Sequence, residues 1–187
     1  MLVAAVMVLS GCASATEDVT TTSPSPETPV NPWDLPLEER PDLFDPCAEI
    51  PVEAVEEGVG LPLEVVEQFQ NYKPGELISC GWKTDEVHVS LLSTWKSREE
   101  FLADSTVSVI DADSNATGRP SLRMQEAADS TNMGCLHLFF TEVGAVMYKM
   151  SLVTSLEQFK GERFVDSCDA LDQAIKPVIS RLPQGDF

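Results

Sequence analysis

An α+β domain, with an antiparallel sheet packed against N- and C-terminal helices and stapled by two disulfides, is the fold this sequence predicts. Three observations predict it. Val87, Val89 and Leu91 alternate with His88 and Ser90, the period-2 pattern of a strand with one buried face. Cys135 to Phe140 and Val146 to Val153 are apolar runs joined through Glu142-Val143-Gly144, a hairpin pattern. Cys168, Leu171, Ile175, Val178, Ile179 and Leu182 recur at helical spacing and form one apolar stripe.

The elements follow in order. Asp45-Pro46-Cys47 opens a helix, because Asp accepts from free N–H groups at the cap and Pro fits the first helical position. That helix is expected to run through about Glu57, where Gly58 and Gly60 end it. Leu61 to Gln70 is expected as a second short helix, and Ser79-Cys80-Gly81-Trp82 as a strand before the one from Val87 to Trp95. Ser97-Arg98-Glu99-Glu100 is a capping box for a helix through about Asp104. Val107 to Ile110 and Leu122 to Met124 read as strands flanking a polar loop, Asp111 to Gly118. Ser155 and Gln158 read as a further cap. Pro177 splits or kinks the C-terminal stripe and Pro183 ends it.

The first residues suggest export. Met1 to Leu9 is an uncharged apolar run, shorter than the roughly 20 residues that span a bilayer. It fits the apolar part of a secretory signal, and Leu9-Ser10-Gly11-Cys12 at its end resembles a bacterial lipobox. No Lys or Arg precedes the run, which points to a true start upstream of this one. Residues 1–11 are thus expected as signal peptide, with Cys12 acylated. Each buried methylene of its acyl chains would contribute about 0.8 kcal/mol to anchoring. Residues 12–42, rich in Thr, Ser and Pro, are expected as a disordered tether, and 43–187 as the folded domain.

Charge narrows the partners. With 31 acidic and 12 basic residues, the net charge is -19, which repels phosphate backbones and excludes nucleic-acid binding. Five cysteines occur. With Cys12 taken by lipid, Cys47, Cys80, Cys135 and Cys168 make an even set in an exported domain and imply two disulfides. Three pairings are open. Cys47–Cys80 with Cys135–Cys168 is favoured, because each joins a helix to a nearby strand. No C-x-x-C and no close-spaced ligand pair supports a metal site instead.

Phe44-Asp45-Pro46-Cys47, Cys80-Gly81-Trp82, the strand cysteine Cys135 and Asp166-Ser167-Cys168-Asp169-Ala170-Leu171 together resemble the "domain of unknown function 3558" lipoproteins of actinobacteria. The resemblance spans roughly residues 43 to 183, plus the lipobox and tether. It implies export and lipid anchoring, and it transfers no catalytic residue.

Other motifs resolve to ordinary chemistry. Neither His88 nor His137 sits in a catalytic motif, and His137, between Leu136 and Leu138, reads as a structural strand residue. Asp111-Ala-Asp113-Ser-Asn115 begins like a calcium loop but has Ala116 at position six and Leu122 at position twelve. Met133, Met147 and Met150 read as gap-fillers, and Trp82 and Trp95 as core or sheet-face residues. The expected function is a non-enzymatic lipoprotein domain on the extracytoplasmic face of the cell membrane. It is held by Cys12, engages an envelope protein or component, and needs no cofactor. The alternative is a carrier of a lipid or other apolar ligand in a cavity between sheet and helices.

Overall fold

The computed structural model describes residues 30–153, 156–163 and 166–185. Its centre is an antiparallel sheet of eight strands. In chain order these are β1 (Glu64–Val65), β2 (Asn71–Lys73), β3 (Leu77–Lys83), β4 (Val87–Thr94), β5 (Val107–Ser114), β6 (Ser121–Glu126), β7 (Gly134–Thr141) and β8 (Gly144–Leu152). Their spatial order is β1-β3-β4-β8-β7-β6-β5, with β2 sharing the outer edge of β3. A separate hairpin pairs β9 (Gln158–Phe159) with β10 (Glu162–Arg163).

The helices are α1 (Pro46–Glu49), α2 (Val52–Val59), α3 (Arg98–Leu102), α4 (Ser167–Ala174) and α5 (Lys176–Ile179). One face of the sheet carries Cys80, Trp82, Val89, Leu91, Tyr148 and Met150, and these pack with Val55, Leu171 and Ile175 of the N- and C-terminal helices. The opposite face carries Leu122, Met124, Leu136, Leu138 and Phe140 beneath Phe101 of α3. The predicted α+β sandwich is therefore present, with a second, smaller core on the far face.

Both disulfides pair as favoured. Cys47–Cys80 ties α1 to β3 and Cys135–Cys168 ties β7 to α4, each with a sequence separation of 33. Loops of that length correspond to about 3.7 kcal/mol each in the chain-entropy account.

Several elements differ from expectation. The first helix is split, because Pro51 has no N–H to donate to the preceding turn, so α1 stops at Glu49 and α2 restarts at Val52. Gly60 closes α2 in the left-handed region at φ 84°. Residues 61–70 form no α-helix. Val65 pairs with Trp82, and the Val66 N–H donates to the Gly81 carbonyl, so the edge of β3 satisfies backbone that a helix would otherwise have satisfied internally. The polar loop after Ile110 is shorter than expected. Strand β5 runs on to Ser114 through two register shifts, the bulges of an edge strand. Gln158 lies in β9 rather than at a helix cap, and Ser155 lies outside the described residues.

The N-terminal segment also differs. Residues 32–39, assigned to the tether by composition, form two 3-10 turns, Pro32–Asp34 and Leu37–Glu39, so described order begins well before Phe44. Cys12, the signal peptide and the earlier part of the tether lie outside the described residues. The C-terminal stripe breaks as Pro177 requires, with Ile175 between α4 and α5.

Helices α2 and α4 meet at Gly58, where a Cβ would stand 1.9 Å from the Ala174 carbonyl oxygen. Gly58→Ala gains about 1 kcal/mol of helix propensity but forces the two helices apart at about 3 kcal/mol. We expect a net loss of about 2 kcal/mol in urea unfolding. An unchanged midpoint would show that the two helices are not in close contact.

Candidate functional site

Trp33 forms the centre of the most developed surface feature. Asn31 caps the short turn Pro32–Asp34, which contains Trp33, by accepting from the Trp33 N–H at 3.0 Å. There Trp33 Nε1 donates to the Thr141 carbonyl at 2.8 Å. Its ring meets Trp95 edge-on, with centroids 4.9 Å apart, and Phe140 at 6.0 Å. Arg40 binds this cluster from outside. Its guanidinium carbon is 5.8 Å from the Trp33 ring centre and 5.1 Å from that of Trp95. It donates to the carbonyls of Leu35, Trp33 and Trp95.

A cleft of about 430 Å³ opens beside this cluster, with Trp33, Trp95, Phe140, Arg40, Arg98 and Glu100 among its walls. A second cleft of about 400 Å³ shares Arg98 and Phe140 with the first and continues past Asp113, Asn115, Pro120 and Ser121. Arg98 divides them. It lies over Phe140 at 5.9 Å, donates to the Ala112 carbonyl, and pairs with Asp113 Oδ1 at 2.9 Å. The Arg98 contacts hold β5 to the start of α3, so both clefts rest on fixed walls. The capping box predicted from sequence is present: Glu100 N donates to Ser97 Oγ, and Ser97 N donates to Glu100 Oε2. The Ser97 backbone N–H lowers the Glu100 pKa below the ordinary value of 4.5. Nearby, hydrogen bonds from Lys96 above all, then Thr106, hold the Asp104 carboxyl well below its usual range.

A second polar constellation lies between sheet and helices and corresponds to no linear motif. Ser121 of β6, His137 of β7 and Asp172 of α4 stand in line. Ser121 Oγ is 2.8 Å from His137 Nδ1, and His137 Nε2 is 2.8 Å from Asp172 Oδ1. Arg123 donates to the other oxygen of Asp172 at 3.0 Å. Asp172 can only accept, so Nε2 carries the ring proton. In the neutral ring Nδ1 is then bare and accepts from the Ser121 hydroxyl. His137 is fully buried and Ser121 is 4% exposed. Next to His137 across the β7–β8 ladder, Tyr148 buries a hydroxyl that finds no partner, and burial pushes its phenol pKa up.

The other residues singled out by sequence are placed plainly. The four domain cysteines form the two disulfides. His88 is exposed on β4, and Asp111 and Asp113 lie on β5. Met150 is fully buried, and Met133 packs against the same core, as gap-fillers would. Trp82 and Trp95 are each 6% exposed, core residues as expected. Among the described residues no cluster of three or more His, Cys, Asp or Glu side chains could hold a metal. Also among them, no helix is long and apolar enough to cross a membrane. Sequence reasoning missed Trp33, because the composition around it masks a lone aromatic, and it missed the alignment of Ser121, His137 and Asp172.

Two expectations follow. Trp33→Ala removes the indole bond and three ring contacts, and should cost about 2 kcal/mol while exposing residues 34–42 to faster proteolysis. Equal proteolysis of variant and wild type would show that the indole does not hold the segment. For Glu100 the folded-state pKa is lowered, so its stabilisation is complete above pH 4.5 and lost as pH falls through the lowered value. Wild type should melt above Glu100→Ala at pH 7, with the gap closing in acid. A gap that persists at pH 2 would contradict the capping role.

No curated protein and no solved structure matches this chain. The sequence model of one family does match, from residue 7 to residue 181, which is most of the chain and includes Leu9 to Cys12. The chain therefore belongs to the family described as "Protein of unknown function (DUF3558)".

Proposed function

We propose that this protein is a binding module of the bacterial cell envelope, held to the extracytoplasmic face of the membrane by acylated Cys12 and engaging an envelope component through the Trp33–Arg40–Arg98 cleft. The observation that carries the reading is the convergence of three aromatic rings and two guanidinium groups on adjoining surface clefts, in a chain whose net charge is -19. Basic residues are scarce here, and two of them are fixed at this one surface. Aromatic faces and planar N–H donors suit a ligand that combines apolar or ring surface with carboxylate or carbonyl oxygens, as wall glycan and peptide fragments do.

The anchor is supported by the Leu9-Ser10-Gly11-Cys12 pattern, which the family match takes in, and by disulfide pairing suited to an oxidising compartment. Only 17 residues lie between Cys12 and Val30. A chain that long spans roughly 25 Å if flexible and about 55 Å as polyproline helix. The cleft includes Asn31 and Trp33, so it borders the point where that tether joins the domain. The bound component would thus lie within tens of ångströms of the bilayer.

The carrier reading has weaker support. Trp82, Phe139, Met150 and Ile175 fill the space between sheet and helices as one buried cluster, where an apolar ligand would have to sit.

The test combines anchoring with capture. Cys12→Ala should abolish incorporation of a clickable fatty acid and release the protein from membranes. The tagged wild-type domain, incubated with soluble wall fragments, should retain a fraction that Arg98→Ala loses, with quenching of tryptophan fluorescence on titration. Equal retention by wild type, Arg98→Ala and a tag-only control would reject the cleft as the binding surface.

A further inference from the structure

We infer that the two clefts form one groove divided by Arg98, and that its occupant is a linear, uncharged glycan bearing N-acetyl groups, long enough to run past Arg98. The inference rests on the cleft being a binding surface, and it names the chemistry that surface takes.

Main-chain acceptors around the groove already have donors. Arg40 donates to the carbonyls of Leu35, Trp33 and Trp95. Trp33 Nε1 holds the Thr141 carbonyl at 2.8 Å, and Arg98 holds the Ala112 carbonyl on edge strand β5. A peptide that docks by backbone pairing needs open main-chain groups, and here side chains have closed these carbonyls. What stays open is side-chain chemistry. Among the described residues, nothing bonds the side-chain amide of Asn115 or the carboxylates of Asp34 and Glu99. Arg98 makes both of its hydrogen bonds through Nη2, to the Ala112 carbonyl and to Asp113 Oδ1. Its Nε and Nη1 have no partner among the described residues, and neither is buried.

Open acceptors and open donors therefore alternate along one groove. A hydroxyl both donates and accepts, so a chain of hydroxyls satisfies carboxylate, amide and guanidinium in succession. An acetamido carbonyl suits the unpaired N–H groups of Arg98. The apolar C–H face of a sugar ring suits the aromatic wall of Trp33 and Phe140. Charge argues against a polyanionic chain, because Asp34, Glu99, Glu100 and Asp113 outnumber Arg40 and Arg98 along the walls.

The required length follows from the two volumes. The clefts, of about 430 and 400 Å³, meet at Arg98 and Phe140. Each lies within the roughly 300–1,000 Å³ that holds one compact ligand. A chain occupying both is longer than a fragment that fills either. Trp33 borders only the first cleft and Asn115 only the second, so the two halves can be tested separately. Asn115 is exposed just beyond β5, and replacing it leaves the core intact.

The experiment titrates the full chain with the dimer and the hexamer of β-1,4-linked N-acetylglucosamine, read by tryptophan fluorescence. A sugar-free wall stem peptide is the competing occupant. The hexamer should bind about 10²-fold more tightly than the dimer, the low end of the gain from joining two contacts on one chain. Asn115→Ala, with an unchanged near-UV circular dichroism spectrum, should weaken hexamer binding about fivefold, as loss of one hydrogen bond does. The hexamer-to-dimer ratio should fall with it. A statistical gain from repeated units on the longer chain would survive that substitution, so an unchanged ratio overturns the continuous groove. Binding of the stem peptide without the hexamer would overturn the glycan and leave the cleft standing as a binding surface. Failure of every soluble wall fragment to bind would reject the cleft itself, and the inference with it.

Discussion

Strand β7 has no side chain facing solvent: all eight of its residues are buried, and the rest of the architecture answers that constraint. A strand buried on both faces needs an apolar layer above and below it. Cys135, His137 and Phe139 project toward the terminal helices, while Leu136, Leu138 and Phe140 project toward α3 and the N-terminal turns. The helix layer is fixed to β7 covalently through Cys135–Cys168. The opposite layer has only the short α3, so Trp33 and Phe101 are recruited to cover Phe140. The surface cleft exists because that cover is incomplete.

The same double burial explains why polar groups on β7 are tightly organised. A histidine in this position cannot be hydrated, so both ring nitrogens must find partners within the protein. Ser121 and Asp172 provide them from either side. Burial alone is satisfied by any such pair.

The two surface clefts are also joined mechanically. Arg98 spans from α3 to β5, forms a wall of both clefts, and lies over Phe140. The two clefts therefore share Arg98 and Phe140 as common walls, on a sheet whose strands are held by continuous ladders.

Local patterns in the chain determined a good deal by themselves. The β4 alternation, the β7–β8 hairpin, the Ser97 capping box and the break at Pro177 each depend on residues a few positions apart, where periodicity and cap chemistry act directly. The even cysteine set was equally legible. The tertiary structure alone decided the rest. Within residues 61–70, Glu64–Val65 became a short edge strand because β3 offered open carbonyls, with a 3-10 turn at Glu67–Phe69 after it, and Trp33 left the apparent tether because Phe140 and Trp95 needed cover. Ser121, His137 and Asp172 met because strand register and helix packing brought three distant segments to one point. Contacts between residues far apart in the chain depend on register and burial, and neither is written in any short stretch of sequence.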